Sequence, residues 1–281
     1  SLAQVQGIGD QDLGLHFRWL TIPPHFTWEA VWRNHEETKA LRKELSLKNI
    51  LLFPSGLRMG WKKMEACETL ERLAMKVRAR EGKKGETQQR LRQALSRIDR
   101  AKTGPSLEEA FLDGKAFLEQ TAQTRTHDPL KVAIVGELYT VMDPYINRGV
   151  EQKLGELGVE VTRTSWFSNH IRRSLRKGKV NERLRFLEAS KAYLGCDVGA
   201  ECNVSIGEAI LRSREGYDGV VHLMPFACMP ETTASGVLAR AGKDWNIPIL
   251  TIILDEQEIE GRIETLLEAF VEMLEWKRKA A

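Results

Sequence analysis

Cysteine is scarce in this chain: four residues among 281, at positions 67, 196, 202 and 228. So few thiols in so long a sequence exclude a disulfide framework and lead to the expectation of a reducing, cytoplasmic setting. Net charge is small too, because 42 basic residues face 39 acidic ones and leave only +3. That balance argues against wholesale binding to nucleic acid or to a membrane surface, although local patches remain to be read. Long apolar runs are missing. The longest near-apolar stretch, 247–254, is far shorter than a membrane span, and the N-terminus has neither the basic region nor the apolar core of a signal segment. There is no internal repeat, no low-complexity tract, and no glycine-rich phosphate loop of GxGxxG or Walker spacing, so a nucleotide is not indicated. The sequence opens on Ser1 and not on methionine, which leads to the expectation of a processed product or a piece of something longer.

With 42% hydrophobic residues, the length suits one large or two ordinary domains with proper cores. Residues 1–60 show no sustained period: Trp19, Trp28, Trp32 and Trp61 are interleaved with Pro23, Pro24, Pro54 and Gly56. They read as short helices joined by turns, with a modest helical pattern over 28–45 and tryptophans that fill a core or an interface. From 61 to about 80, apolar residues recur at spacings of three and four, which predicts an amphipathic helix carrying Cys67 on its buried face. The basic residues Arg72, Lys76, Arg78, Arg80, Lys83 and Lys84 read most simply as a solvated face, with anion binding there as the alternative. Helices over 86–101 and 106–120 follow, the second with Ser106 and Glu109 as an expected capping box. The polar stretch 121–130, ending in Asp128-Pro129, marks a boundary between a mostly helical region, 1–128, and an α/β part, 129–281.

That second part alternates strand and helix. Strands are expected at 131–136, 159–163, 219–224 and 248–254. Helices are expected at 145–157, twice before about 194, then at 205–215, 230–241 and 257–277. Such alternation implies a four-stranded parallel sheet with right-handed crossovers, its order reversing beside the first strand. Its ligands would be held by the loops that follow the strands.

The stretch 219–233 carries most of the chemistry. The apolar run 219–224 reads as a strand covered on both faces, Pro225 ends it, and Pro230 and Glu231 read as the first turn of a helix. Cys228 then lies outside the carboxyl end of a strand, near the backbone N–H groups of a helix start, where a thiolate can ligate a metal or attack an electrophile. His222, inside the strand, reads as a satisfied core histidine. The loop 195–203 (GCDVGAECN) adds Cys196 and Cys202, so three thiols are candidates to converge. Three cysteinyl ligands on an iron-sulfur cluster leave one iron open, whereas structural zinc prefers four closed ligands. The alternative, in which Cys196 and Cys202 are ordinary small residues, stands beside it. Glu137, Tyr139 and Asn147 after the first strand read as turn and capping residues, and Asp255 and Glu256 after the last read as a cap, with a catalytic acid as the alternative. A dense basic run comprises Arg172, Arg173, Arg176, Lys177, Lys179, Arg183 and Arg185. It reads either as a solvated surface or as a site for the phosphates of an acyl-CoA or for an acidic partner, with Arg172, Arg173, Arg176 and Lys177 as the candidate phosphate ligands.

Four motifs occur together in order: VGELY at 135–139, DPYIN at 143–147, GYDGVVHLMPFACMPE at 216–231, and IPILTIILDE at 247–256 with LLEAF at 266–270. Over roughly 62–270 the chain therefore resembles the domain associated with 2-hydroxyacyl-CoA dehydratase activators, and more remotely the dehydratase, benzoyl-CoA reductase and double-cubane-cluster proteins. The resemblance implies a flavodoxin-like α/β lobe and a cysteine-ligated iron-sulfur cluster, of 4Fe-4S or double-cubane type, for low-potential electron transfer from an ATP-dependent activator protein. Cys228, in the PFACMP motif, is the residue it carries over as a ligand. Two features depart from the family pattern. The loop near Gly195 carries Cys196 and Cys202 where the family is rich in glycine and histidine, and Leu266 stands where arginine is usual. The family also places a further α/β lobe with cysteines before this one, so a preceding or partner lobe is expected to complete the site. The reading from another class is a non-catalytic domain that binds an acyl-CoA or a partner protein, with no metal on its cysteines.

Overall fold

The computed structural model describes residues 47–121, 128–163, 165–175, 181–255 and 261–280, with backbone only for 47–54, 173–175 and 181–183. The chain divides into two units, 1–57 and 58–281. Of the first, only the opening turns of helix α1 are described, and the expected helix at 28–45 lies outside the described residues. Helix α1 runs Leu47–Arg78, well upstream of the start predicted from periodicity, with Pro54 and Gly56 inside it.

The second unit begins with three helices. Residues Leu70, Ala74, Leu91, Ala94, Ile98, Leu107 and Leu118 of α1, α2 (Glu86–Arg100) and α3 (Gly104–Glu119) form one apolar cluster. The start of α3 differs from the sequence expectation. Thr103 is its cap, accepting from the Ser106 backbone N–H while the Ser106 side chain serves the Thr103 backbone, so the box sits one turn earlier than a Ser106–Glu109 pair.

Four strands follow: β1 (Leu130–Gly136), β2 (Val159–Arg163), β3 (Gly219–Pro225) and β4 (Ile249–Leu254). Their order is β2-β1-β3-β4 and every pairing is parallel. Order reverses at β1, as the alternation predicts for this α/β fold, with helices on both faces. Leu130, Val132 and Ile134 pack against α5 (Val150–Glu156) and α10 (Arg262–Ala280). Ala133, Val135 and Val220 pack against α8 (Cys202–Arg214) and α9 (Met229–Asp244) on the opposite face. Strands apolar on both faces are what such double coverage requires. At Gly136, with φ +139°, a Cβ would lie 1.9 Å from the Leu223 carbonyl oxygen, so the backbones of β1 and β3 close up there only because that residue has no side chain.

The loop after β1 holds a short helix, α4 (Leu138–Met142). Glu137 caps it by accepting from the Tyr139 and Thr140 backbone N–H groups, and Asn147 donates to the Thr140 and Val141 carbonyls. Both residues are therefore structural, as read. The helix predicted from 145 starts at Val150, because Arg148 and Gly149 have positive φ. After β2 come α6 (Phe167–Leu175) and α7 (Asn181–Ser190).

The basic face of α1 is not simply solvated. Arg78 is buried and bonds Gln88 at 2.9 Å and Glu151 at 3.4 Å, while Arg80 pairs with Glu160 at 2.8 Å. Glu71 pairs with the buried Arg163 at 2.7 Å, and Glu68 accepts from the Ser168 N–H at 2.8 Å and from its hydroxyl. These contacts tie α1 to β2, α5 and α6. No described helix is long and apolar enough to cross a membrane.

Candidate functional site

At the carboxyl end of β3 the chain turns sharply. The Phe226 N–H donates to the Leu254 carbonyl at 2.8 Å, and the Cys228 N–H donates to the Pro225 carbonyl at 3.3 Å across Ala227, whose φ is +62°. A non-glycine residue in the left-handed region is uncommon and costs backbone energy. Its effect here is to set Cys228 at the N-cap of α9 with its sulfur making no capping bond. Cys228 is half-buried, between Phe226 and Met229, which are 72% and 79% exposed.

Helix α8 packs beside α9 on the same face, also as a crossover returning from this edge, so its N-terminus lies there too. Cys202 is its first residue and is fully buried within the apolar cluster of that face. Burial, then the charges of Glu231, Asp197 and the thiols of Cys196 and Cys228, push the Cys202 thiol up to about 11. Cys196, in the loop before α8, is exposed. The three thiols therefore share one electrostatic neighbourhood at the carboxyl edge but differ in access. Among the described residues, no group of three His, Cys, Asp or Glu side chains is gathered to hold a metal ion. Of the three candidate ligands, Cys202 is buried in the core of that face, Cys228 is half-buried and Cys196 is exposed.

Beneath these thiols lies a polar group that the sequence pattern did not single out as a unit. His222, fully buried in β3, has Nε2 at 2.8 Å from Glu231 Oε2 and Nδ1 at 3.3 Å from Thr251 Oγ1. The Ser205 hydroxyl donates to the same Glu231 oxygen at 3.3 Å, and Glu231 Oε1 is buried with no hydrogen-bond partner. His222 is thus the satisfied core histidine expected of it. Glu231, read from sequence only as a carboxylate suited to a helix start, is instead its buried partner. The signal was a glutamate nine residues after a strand histidine, a separation that neither helical nor strand period couples.

Of the candidate phosphate ligands, Arg172 is described. It pairs with Glu65 and lies over the Trp61 ring at 5.5 Å, so α1 engages it. The side chain of Arg173 and the whole of Arg176 and Lys177 lie outside the described residues, as do Lys179 and Glu256. Cys67 is half-buried with its thiol pushed up to about 11, mainly by burial, which fits the small-hydrophobe reading. No family model matches the chain, and no curated protein matches it.

Proposed function

We propose that this chain is one lobe of an iron-sulfur redox protein of the kind found among 2-hydroxyacyl-CoA dehydratases, working in low-potential electron transfer with an ATP-dependent activator. The observation that carries the reading is Cys228. It sits at a helix N-cap on the carboxyl edge of a doubly covered parallel sheet, in a strained turn, with no capping bond on its sulfur and exposed Phe226 and Met229 on either side. A cysteine so displayed suits ligation to a cluster, and large apolar side chains around it suit coverage by a second protein surface. In this reading Cys228 is the ligand that the lobe presents, and a partner lobe supplies the ligands that buried Cys202 does not. A bound cluster would supply one-electron chemistry. The chain's own contribution is to hold Cys228 rigidly between β3 and α9 over the His222–Glu231 pair.

The second reading, a metal-free module that binds a partner or an acyl-CoA, is favoured by the core placement of Cys202. One anaerobic experiment separates the two. The chain is purified alone and as the complex it forms in its own cells, and iron and acid-labile sulfide are measured in both. The cluster reading expects a colourless isolated chain and a brown complex whose iron is lost in Cys228→Ser. A colourless complex that is unchanged by Cys228→Ser establishes the metal-free module. An isolated chain holding about four irons keeps the redox reading but overturns the need for a second lobe.

A further inference from the structure

Where the loops after β1 and β2 meet helix α1, the structure has a cavity of about 440 Å³, a volume typical of small-ligand sites. Its walls are apolar and soft, with Met64, Met142, Pro144, Trp166 and Phe167 among them, and Tyr139 stands at it largely exposed. The neutral thiol of Cys67 adds to this lining. The charged residues of the cavity are Glu68, Glu71, Asp143 and Arg163.

What those four have left over decides the ligand. The Arg163 fork is already engaged: one terminal nitrogen is 2.7 Å from Glu71 Oε2, and the other bonds the Val141 and Met142 carbonyls at 3.4 Å each. Its face lies 4.1 Å from the Trp166 ring centre, and its Nε is buried without a hydrogen bond, 3.5 Å from Oε2 of Glu151, which does not line this cavity. Both oxygens of Glu68 accept from Ser168. Glu71 uses only Oε2, and Asp143 uses only Oδ1, which accepts from the Tyr145 and Ile146 backbone N–H groups. Arg163 Nε is unpaired but sealed from solvent, so among these four the unspent capacity within reach of a ligand is two carboxylate oxygens, Glu71 Oε1 and Asp143 Oδ2, which accept and carry negative charge. Donors and cations complement them; anions and acceptors do not.

We propose that this cavity binds a small organic cation, a primary ammonium or amidinium on an apolar body of aromatic size, with the charged head at Glu71 and Asp143 and the body against Met142, Pro144 and Phe167. Burial already pushes the Glu71 carboxyl up despite its pairing with Arg163, so an added positive charge relieves an existing desolvation cost. The site is on the β1–β2 side of the carboxyl edge, uses none of Cys196, Cys202 or Cys228, and stands whether or not the chain holds a cluster.

The test is calorimetric titration of the full chain with 2-phenylethylammonium, with neutral 2-phenylethanol and with 3-phenylpropionate. Saturable binding of the amine is expected, with the alcohol weaker by about tenfold or more, as loss of a charge-assisted bond implies, and the acid weaker still. Glu71→Gln keeps an acceptor for Arg163 and should lower amine affinity at least about tenfold, and the exposed Phe167→Ala should lower it about threefold through lost apolar contact. Equal binding of the three probes, preference for the acid, or no binding at millimolar concentration overturns the proposal. If Glu71→Gln fails to fold, Asp143→Asn decides, because it keeps the Oδ1 turn contacts: unchanged amine affinity in that variant also overturns it.

Discussion

Cys202 and Cys228 share one end of the molecule and differ in almost everything that governs thiol chemistry. Cys228 is open at a turn, whereas Cys202 is sealed in a core and holds its proton to about 11, against an ordinary 9.0. The folded chain thus binds that proton more tightly than the unfolded chain does. Burial of the neutral thiol contributes stability in full below about pH 9, and the contribution is lost as pH rises toward 11. A two-unit shift corresponds to at most about 2.7 kcal/mol. In urea titrations between pH 8 and 10.5, wild type should therefore lose more stability than Cys202→Ala, by on the order of 1 to 2 kcal/mol. Parallel curves for the two proteins would show that the thiol is not sealed. Cys228 could be placed from sequence because a proline-bounded apolar strand and a Pro-Glu helix start flank it directly. Burial of Cys202 could not, because it depends on where α8 lies across the sheet, which a loop of nine residues with two glycines leaves open.

Among the elements, the strands were the most legible, since runs such as 131–136 and 219–224 are apolar on both faces and end at glycine or proline. Helix boundaries were less so. Pro54 and Gly56 read as breakers yet sit inside α1, and residues 145–147, read as the start of a helix, lie instead in a series of capped turns ended by Arg148 and Gly149 in the left-handed region. Local propensity is a weak guide where packing and turn contacts decide. Gly136 illustrates the reverse case, a residue whose identity follows from the pairing of two strands. A Cβ there meets the Leu223 carbonyl oxygen at 1.9 Å, whereas at Gly149, with φ +72°, nothing lies within 4 Å. Gly136→Ala should accordingly cost more than about 3 kcal/mol, because β1 and β3 must separate at their carboxyl ends. Gly149→Ala should cost about 1 kcal/mol, for backbone conformation alone. Thermal unfolding checks both, with Tm expected to fall by roughly 6 to 12 °C for the first and 2 to 4 °C for the second; similar shifts would contradict the close approach of β1 and β3.

For the whole second unit, the sequence boundary at Asp128-Pro129 and the packing lead to different expectations of cooperativity. Composition separates a helical region from an α/β region, but the structure joins α1 to β2, α5 and α6 by charges that have little access to water. Arg78 is 2% exposed and Arg163 7%, and their partners Glu71 and Glu151 come from opposite sides of the join. Trp166 is held between Arg72 of α1 at 4.0 Å and Arg163 of β2 at 4.1 Å. Breaking such a buried pair by removing one partner typically costs about 3 to 5 kcal/mol, because a charge is left without compensation. Separating the helical layer from the sheet would strand several at once, in addition to exposing the apolar wall around Trp166. Partial opening along this line is therefore unfavourable, and α1 from Arg58 onward, α2, α3 and the sheet should unfold together. Hydrogen exchange in rising urea measures this directly: amides in α2 and α3 and amides in β1 and β3 should converge on one opening free energy before the global midpoint. If α2 and α3 exchange through a separate, lower-energy opening that Arg163→Met leaves unchanged, the buried charges do not couple the two layers and the sequence boundary at 128 is also a folding boundary.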